Sequence, residues 1–156
     1  TTPQLDEMCT LYADNFTHHS KVVADLFPFA HSLFQQLRDA GYILAVATGK
    51  TRRGLDEMLT GLQVEDEFAI TRCADEALSK PDPMMLKQIL AELGLGYQQA
   101  LMVGDTSFDL DMAAAIGMDS IGMSHGAHAD EILLASGAKA LCRDLPELLS
   151  WIKRNG

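Results

Sequence analysis

The sequence has few cysteines, few basic residues and no long apolar run. Its three cysteines, Cys9, Cys73 and Cys142, lie far apart, which argues against a disulfide framework or a cysteine-based zinc site. The 12 lysines and arginines are outnumbered by 22 aspartates and glutamates, and a net charge of −10 should repel nucleic acids. No apolar stretch approaches the roughly 20 residues of a membrane-spanning helix. We therefore expect a cytoplasmic protein with reduced cysteines that binds neither nucleic acid nor membrane.

The remaining composition is that of an ordinary globular domain. The chain has 156 residues, of which 47% are hydrophobic and 22% charged, enough for one buried core. From Tyr42 onward, short and continuously apolar runs alternate with amphipathic segments, a pattern typical of a parallel sheet buried on both faces. The sequence therefore predicts an α/β fold, a Rossmann-like parallel sheet with helices on both faces. Strands are predicted at 42–48, 67–73, 99–105, 119–124 and 138–142, and helices at 29–40, 51–62, 82–95, 107–116, 129–137 and 145–155.

The N-terminal part of the chain does not follow this alternation. Apolar residues recur there at helical spacing and predict one amphipathic helix over residues 3–19. These residues are Leu5, Met8, Cys9, Tyr12 and Phe16. The segment that follows ends in Leu26-Phe27-Pro28 and is typical of a linker.

Three groups of polar residues follow predicted strands, where open parallel sheets bind their ligands. Thr48 and Gly49 stand between a strand and a helix, which suits a bound phosphate, although a simple helix cap uses the same residue types. Lys80 precedes a proline and could neutralise phosphate oxygens, or it could be an ordinary surface lysine. Asp105 ends a strand and Asp109 comes one helical turn later. Two such carboxylates form a hard-oxygen site suited to Mg²⁺, unless Asp105 only caps the next helix.

In this order, the three groups resemble motifs of the haloacid dehalogenase superfamily of phosphohydrolases, most of all its phosphoglycolate phosphatase-like branch. Thr48 matches the second motif, Lys80 the third, and Gly104-Asp105-Thr106 with Asp109 the fourth. The resemblance covers the chain from Leu26 to its end. It implies a Mg²⁺-dependent phosphomonoester hydrolase that acts on a small phosphorylated metabolite such as 2-phosphoglycolate.

The resemblance also implies a role for each matching residue. In the family, an aspartate nucleophile forms an aspartyl-phosphate, which water then hydrolyses. Asp105 would bind Mg²⁺, and Asp109 would be a second acid at the metal site. Thr48 and Gly49 would hold phosphate oxygens, and Lys80 would stabilise charge on the phosphate and the nucleophile.

The family's first motif, an apolar strand ending in D-x-D, is not identified in the sequence. Asp109-Leu110-Asp111 has that spelling but lies inside a predicted helix. In this branch a small helical cap, which selects the substrate, is inserted after the first motif. We therefore predict that residues 1–25 are a remnant of the cap and its linker, and that residues 26–156 are a core lacking its first, central strand. Such a chain would be a phosphatase fragment, inactive without its nucleophile.

Other functions stay open at this point. A chain that keeps phosphate and Mg²⁺ ligands without a nucleophile could be a non-catalytic phosphate-binding module, or could pair with another chain that supplies the strand. A dinucleotide-binding or receiver-like domain is disfavoured because no G-x-G-x-x-G follows the first predicted strand of the alternating region. His125 and His128 form H-x-x-H, which we interpret as a loop before a helix, because a closed zinc site needs four ligands. Substrate identity and oligomeric state do not follow from the sequence.

Overall fold

A six-stranded parallel sheet forms the centre of the protein. The computed structural model describes residues 9–12, 17–18, 25–26, 29–124 and 128–155. The strands are β1 (Cys9–Tyr12), β2 (Thr17–His18), β3 (Asp25–Leu26), β4 (Ile43–Ala47), β5 (Ile70–Arg72), β6 (Ala100–Gly104), β7 (Asp119–Met123) and β8 (Ala140–Cys142). The main sheet has the order β5-β4-β1-β6-β7-β8, and β2 pairs with β3 in a separate antiparallel ribbon.

Helices connect the strands of the main sheet. They are α1 (Ala30–Asp39), α2 (Arg52–Gly61), α3 (Met84–Leu93), α4 (Ser107–Ala115), α5 (Asp130–Ala135) and α6 (Leu145–Asn155). Each strand and helix predicted from residue 29 onward is present, so the predicted α/β class is confirmed. Among the described residues, no helix combines the length and the apolar character needed to cross a membrane.

The central strand β1 corrects two predictions made from the sequence. Residues 9–12 are a strand, not part of a helix over 3–19, and the described core does not lack its central strand. Cys9 pairs in parallel with Ile43 of β4 and with Ala100 of β6. Backbone pairing on both sides satisfies every ladder group of this short segment, and such pairing outweighs a local helical spacing. Whether residues 1–25 include a remnant of a cap stays a prediction.

The connection between β1 and α1 is short. Residues 13–29 are all that separate the two elements, and they include the β2–β3 ribbon.

Alternate residues of β4 and β6 face two separate hydrophobic cores. Leu44 and Val46 of β4 belong to the core that contains the apolar residues of α1, α2 and α6. Ala45 and Ala47 belong to the other core, with the methionine-, leucine- and isoleucine-rich α3 and with α4. The small alanines leave room for these long side chains. Helices therefore cover both faces of the sheet, and this packing holds its carboxyl edge in place.

Candidate active site

The second and fourth sequence motifs flank the central strand at the carboxyl edge of the sheet. Tyr12, the last residue of β1, is level with Val46 of β4 and Val103 of β6. Thr48 comes two residues after Val46, and Asp105 two residues after Val103. The structure thus brings together two of the predicted site residues that are far apart in the sequence.

The loop after β4 holds Thr48 in a fully buried position. The Thr48 N–H donates to the carbonyl oxygen of Arg72 over 3.0 Å, and its Oγ1 accepts from the Lys50 N–H over 3.1 Å. A Cβ atom added to Gly49 would meet no other atom within 4 Å, so the turn beside Thr48 has open space. These features fit a loop that receives a phosphate group, and the roles of Thr48 and Gly49 stay predictions.

The first turn of α2 is already engaged by protein acceptors. Thr51 caps the helix by accepting from the Gly54 N–H over 3.1 Å. The Arg52 N–H donates to both carboxylate oxygens of Asp75, over 3.0 and 3.2 Å. A carboxylate at a helix N-terminus is favourable because of the helix dipole. Asp75 therefore occupies the place that the sequence suggested for a phosphate at this helix, which leaves Thr48 and Gly49 as the candidate phosphate contacts.

The Arg52 side chain ties α2 to the end of β5. It donates to Glu76 Oε1 over 2.7 Å, to Thr71 Oγ1 over 2.6 Å and to the Thr71 carbonyl oxygen over 3.0 Å. The hydrogen bond with Glu76 raises the pKa of Arg52, and the same bond lowers the pKa of Glu76. A cleft of about 570 Å³ lies beside this arginine, between α2 and β5. Cys73, Asp75 and Glu76 lie close enough to share a metal ion, but both acids already bind Arg52, so the cluster is explained as a structural anchor.

Lys80, which is partly exposed, forms an ion pair with the buried Asp109. The Lys80 Nζ lies 2.5 Å from Asp109 Oδ1, and the Thr106 hydroxyl donates to Asp109 Oδ2 over 2.9 Å. Burial raises the pKa of Asp109, while Lys80 and Thr106 act in the opposite direction and the charge of Asp105 adds to the rise. Because both carboxylate oxygens of Asp109 accept from protein donors, this residue fixes the position of the Lys80 ammonium group. Direct binding of a metal by Asp109 would displace one of these donors.

The residue before Asp105 has to be glycine for a steric reason. A Cβ atom on Gly104 would lie 2.5 Å from Asp109 Cβ and 2.7 Å from Asp109 Oδ2. The close approach of α4 to the end of β6 therefore depends on the missing side chain at this position. The Gly-Asp pair of the fourth motif thus has a local explanation, since glycine admits Asp109 and the next residue carries the candidate metal ligand.

Asp105 is the acid of this pair that a cation can reach. It is partly exposed at the end of β6, whereas Asp109 is buried. The charge of Asp105 raises the pKa of Asp109, because the two carboxylates repel each other. A cation beside them would relieve this repulsion. Carboxylate oxygens are the donors that Mg²⁺ prefers. The described residues thus fit Mg²⁺ at Asp105, and the assignment of Asp105 and Asp109 to a metal site stays a prediction.

Sequence reasoning missed two features of this edge. The first is the strand β1 itself. In the sequence, Asp14 comes two residues after Tyr12, the end of this strand, and it lies outside the described residues. An acid two residues after the run Cys9–Tyr12 was the available signal. The second is the contact of His128 with this edge, since the His128 backbone N–H donates to the Asp105 carbonyl oxygen over 3.1 Å. His125, the other histidine of the H-x-x-H pattern, lies outside the described residues.

Comparison with known proteins places this geometry in a family context. Residues 1–123 match the family described as haloacid dehalogenase-like hydrolase. The chain is 35% identical over 130 residues to a phosphoglycolate phosphatase of Rhodospirillum rubrum, covering 83% of this chain and 54% of that protein. It is 33% identical over 128 residues to a phosphoglycolate phosphatase of Pectobacterium atrosepticum, covering 81% of this chain and 55% of that protein. The chain therefore spans about half the length of these curated relatives.

A solved structure of a hydrolase from Pseudomonas syringae superposes on the protein with a TM-score of 0.77. The two are 20% identical, and the match covers 85% of this chain and 63% of that one. At this level of identity the likeness concerns the fold alone.

Proposed function

Because the chain belongs to the haloacid dehalogenase-like hydrolase family, we propose that it hydrolyses phosphomonoesters of small metabolites. The observation that carries the proposal is the convergence of Thr48, the Lys80–Asp109 pair and Asp105 at one edge of the sheet. Two relatives bear the name phosphoglycolate phosphatase, which supports 2-phosphoglycolate as the first substrate to test. The low cysteine content supports a cytoplasmic location.

We propose Asp14 as the nucleophile of this reaction. By position along the chain, Asp14 follows Tyr12 by two residues, as Thr48 follows Val46 and Asp105 follows Val103. The Asp14 carboxylate would form a bond to phosphorus while the ester bond to the leaving oxygen breaks. Water would then attack the aspartyl-phosphate, releasing inorganic phosphate and restoring the carboxylate.

The other residues would stabilise charge and orientation. Thr48 and Gly49 would hold phosphate oxygens, and Lys80, fixed by Asp109, would balance negative charge on the transferring group. Asp105 would hold Mg²⁺, which supplies positive charge to the phosphate oxygens when bound. Fixed charges of this kind account for most of the catalysis in phosphoryl transfer.

The test is hydrolysis of p-nitrophenyl phosphate with and without Mg²⁺. This ester suits the chain because Phe16 stands where a D-x-D pattern would have its second acid, and nitrophenolate leaves without a proton. We expect Asp14→Asn and Asp105→Asn each to lower kcat by about 10³-fold or more. Asp111→Asn, an exposed position on α4, is the matched control and should turn over like the wild type. Undiminished activity of Asp105→Asn would remove the metal assignment, and that of Asp14→Asn would remove the nucleophile.

A non-catalytic phosphate-binding function is the second candidate, and Phe16 in place of an acid favours it. In that case, phosphate together with Mg²⁺ should raise the melting temperature of the protein through binding to the folded state, without any turnover. The same preparation tested by calorimetric melting and by the hydrolysis assay separates the two functions.

A further inference from the structure

His128 holds the turn that carries Asp105 from both ends. Its backbone N–H donates to the carbonyl oxygen of Asp105 over 3.1 Å. Its imidazole Nδ1 accepts from the N–H of Ser107 over 2.9 Å. A residue from the loop after β7 therefore bridges the segment from Asp105 to Ser107, which joins β6 to α4.

The imidazole fulfils a hydrogen-bonding need that the helix itself leaves open. Ser107 is the first residue of α4, and the first N–H groups of a helix have no partner within it. The helix cap, Thr106, accepts from the N–H of Asp109 rather than from that of Ser107. The Ser107 N–H consequently depends on His128, and an accepting Nδ1 requires the tautomer with hydrogen on Nε2.

An aromatic contact fixes the imidazole ring in this orientation. Phe108 packs edge-to-face on His128, with ring centroids 5.5 Å apart and an angle of 68° between the planes. Such pairs prefer this geometry and contribute beyond simple burial. Phe108 is itself 49% exposed, so its packing against His128 rather than a place in the core accounts for its position.

We propose that His128 is a positioning residue for the metal ligand Asp105. The inference rests on the proposed function, because it concerns how the Mg²⁺ site of that reaction is held. The direction of the Asp105 carboxylate follows from the backbone angles of the turn, and His128 fixes both flanks of that turn. Groups that orient a metal ligand without touching the metal typically change metal affinity or activity by about 10- to 100-fold when they are removed.

The test compares His128→Ala, His128→Asn and the control His31→Ala, which changes an exposed histidine on α1. Mg²⁺ affinity is measured by titration calorimetry on metal-free protein, and hydrogen exchange of the Ser107 amide is measured by NMR. We expect His128→Ala to lose protection at Ser107 and to weaken Mg²⁺ binding about tenfold or more. Higher Mg²⁺ should restore most of its kcat on p-nitrophenyl phosphate. His128→Asn, which keeps an acceptor oxygen, should recover part of the affinity, and His31→Ala should match the wild type.

A purely structural role for His128 would give a different result. In that case His128→Ala would melt at a lower temperature while its Mg²⁺ dissociation constant stayed at the wild-type value, and the proposal would be refuted. Phe108→Leu provides a second variant at an exposed position, in case His128→Ala does not fold; it should weaken Mg²⁺ binding by a smaller factor, and an unchanged constant would likewise refute the proposal. A wild-type protein that neither binds Mg²⁺ nor hydrolyses the ester would instead overturn the proposed function, and this inference with it.

Discussion

Replacing Gly104 with alanine tests whether close helix-to-strand packing places the residues of the candidate active site. The new Cβ atom would lie 2.5 Å from Asp109 Cβ, roughly 0.9 Å short of the 3.4 Å at which ordinary contact begins. No side-chain rotation relieves this overlap, because Asp109 Cβ is bonded directly to the α4 backbone. The helix must therefore move away from β6, and the Lys80–Asp109 hydrogen bond, whose lysine lies outside this helix, lengthens with that movement.

A shift of about 1 Å in a catalytic group can cost about 10²-fold in rate, so we expect Gly104→Ala to lower kcat/KM by that order. Overpacking of this kind costs about 1–3 kcal/mol of folding free energy, which urea denaturation would measure. Gly61→Ala is the matched control, since a Cβ atom there meets nothing within 4 Å. It should keep wild-type turnover and gain about 0.4–1 kcal/mol of stability. Wild-type activity and stability in Gly104→Ala would show that the close approach does not position Asp109.

Three further predictions concern stability and reactivity. Burial raises the pKa of Asp109 in the folded, metal-free protein above its unfolded value of 3.8. Ionisation of Asp109 therefore destabilises the folded state. This cost is absent below pH 3.8 and develops as the pH rises from 3.8 through the folded pKa. The melting temperature of Asp109→Asn, relative to the wild type, should therefore increase between about pH 4 and about pH 7 in EDTA, and a constant difference would contradict the reasoning. Gly122→Ala would bring a Cβ atom within 2.8 Å of Leu141 Cδ2, which can rotate away, and within 3.2 Å of Leu133 Cβ, which cannot; it should cost about 1 kcal/mol in urea denaturation, whereas an unchanged midpoint would contradict this packing. Burial raises the pKa of Cys73 and of Cys142 to about 11, so both thiols should react with iodoacetamide about 100-fold more slowly in the folded protein than in urea; equal rates would show that they are accessible.

The part of the fold that sequence predicted well consists of long, self-contained patterns. From Tyr42 onward, strands such as Ile43–Ala47 are apolar runs and helices such as Arg52–Gly61 have one apolar face, so local sequence is enough to identify them. The segment Cys9–Tyr12 is different, because it is only four residues long and its apolar residues fit a helical spacing as part of a longer window. It is a strand because β4 and β6 offer it partners on both sides, and those partners are distant in sequence.

The roles of the candidate site residues stay predictions, but one contact among them is observed. Strand ends and motif order single out Thr48, Lys80, Asp105 and Asp109, and the structure brings Lys80 and Asp109 into contact. Sequence alone did not indicate that Asp109 is buried with both oxygens engaged, since that depends on the approach that Gly104 permits. The H-x-x-H spacing drew attention to His128, but its contacts with Asp105 and Ser107 were not predictable, because those residues lie more than 20 positions earlier in the chain.

The arginine network at the end of β5 also bears on how copies of the protein behave toward one another. β5 is an outer strand of the sheet, and its Thr71 carbonyl oxygen accepts from Arg52 over 3.0 Å and from Arg72 over 2.9 Å. An unprotected outer strand is a template on which another chain can add a strand and begin aggregation. Here two guanidinium groups occupy the acceptor that such a strand would need, and an incoming chain would meet fixed positive charge. The anchor that shapes the loop beside the candidate active site thus also discourages self-association along this side of the sheet.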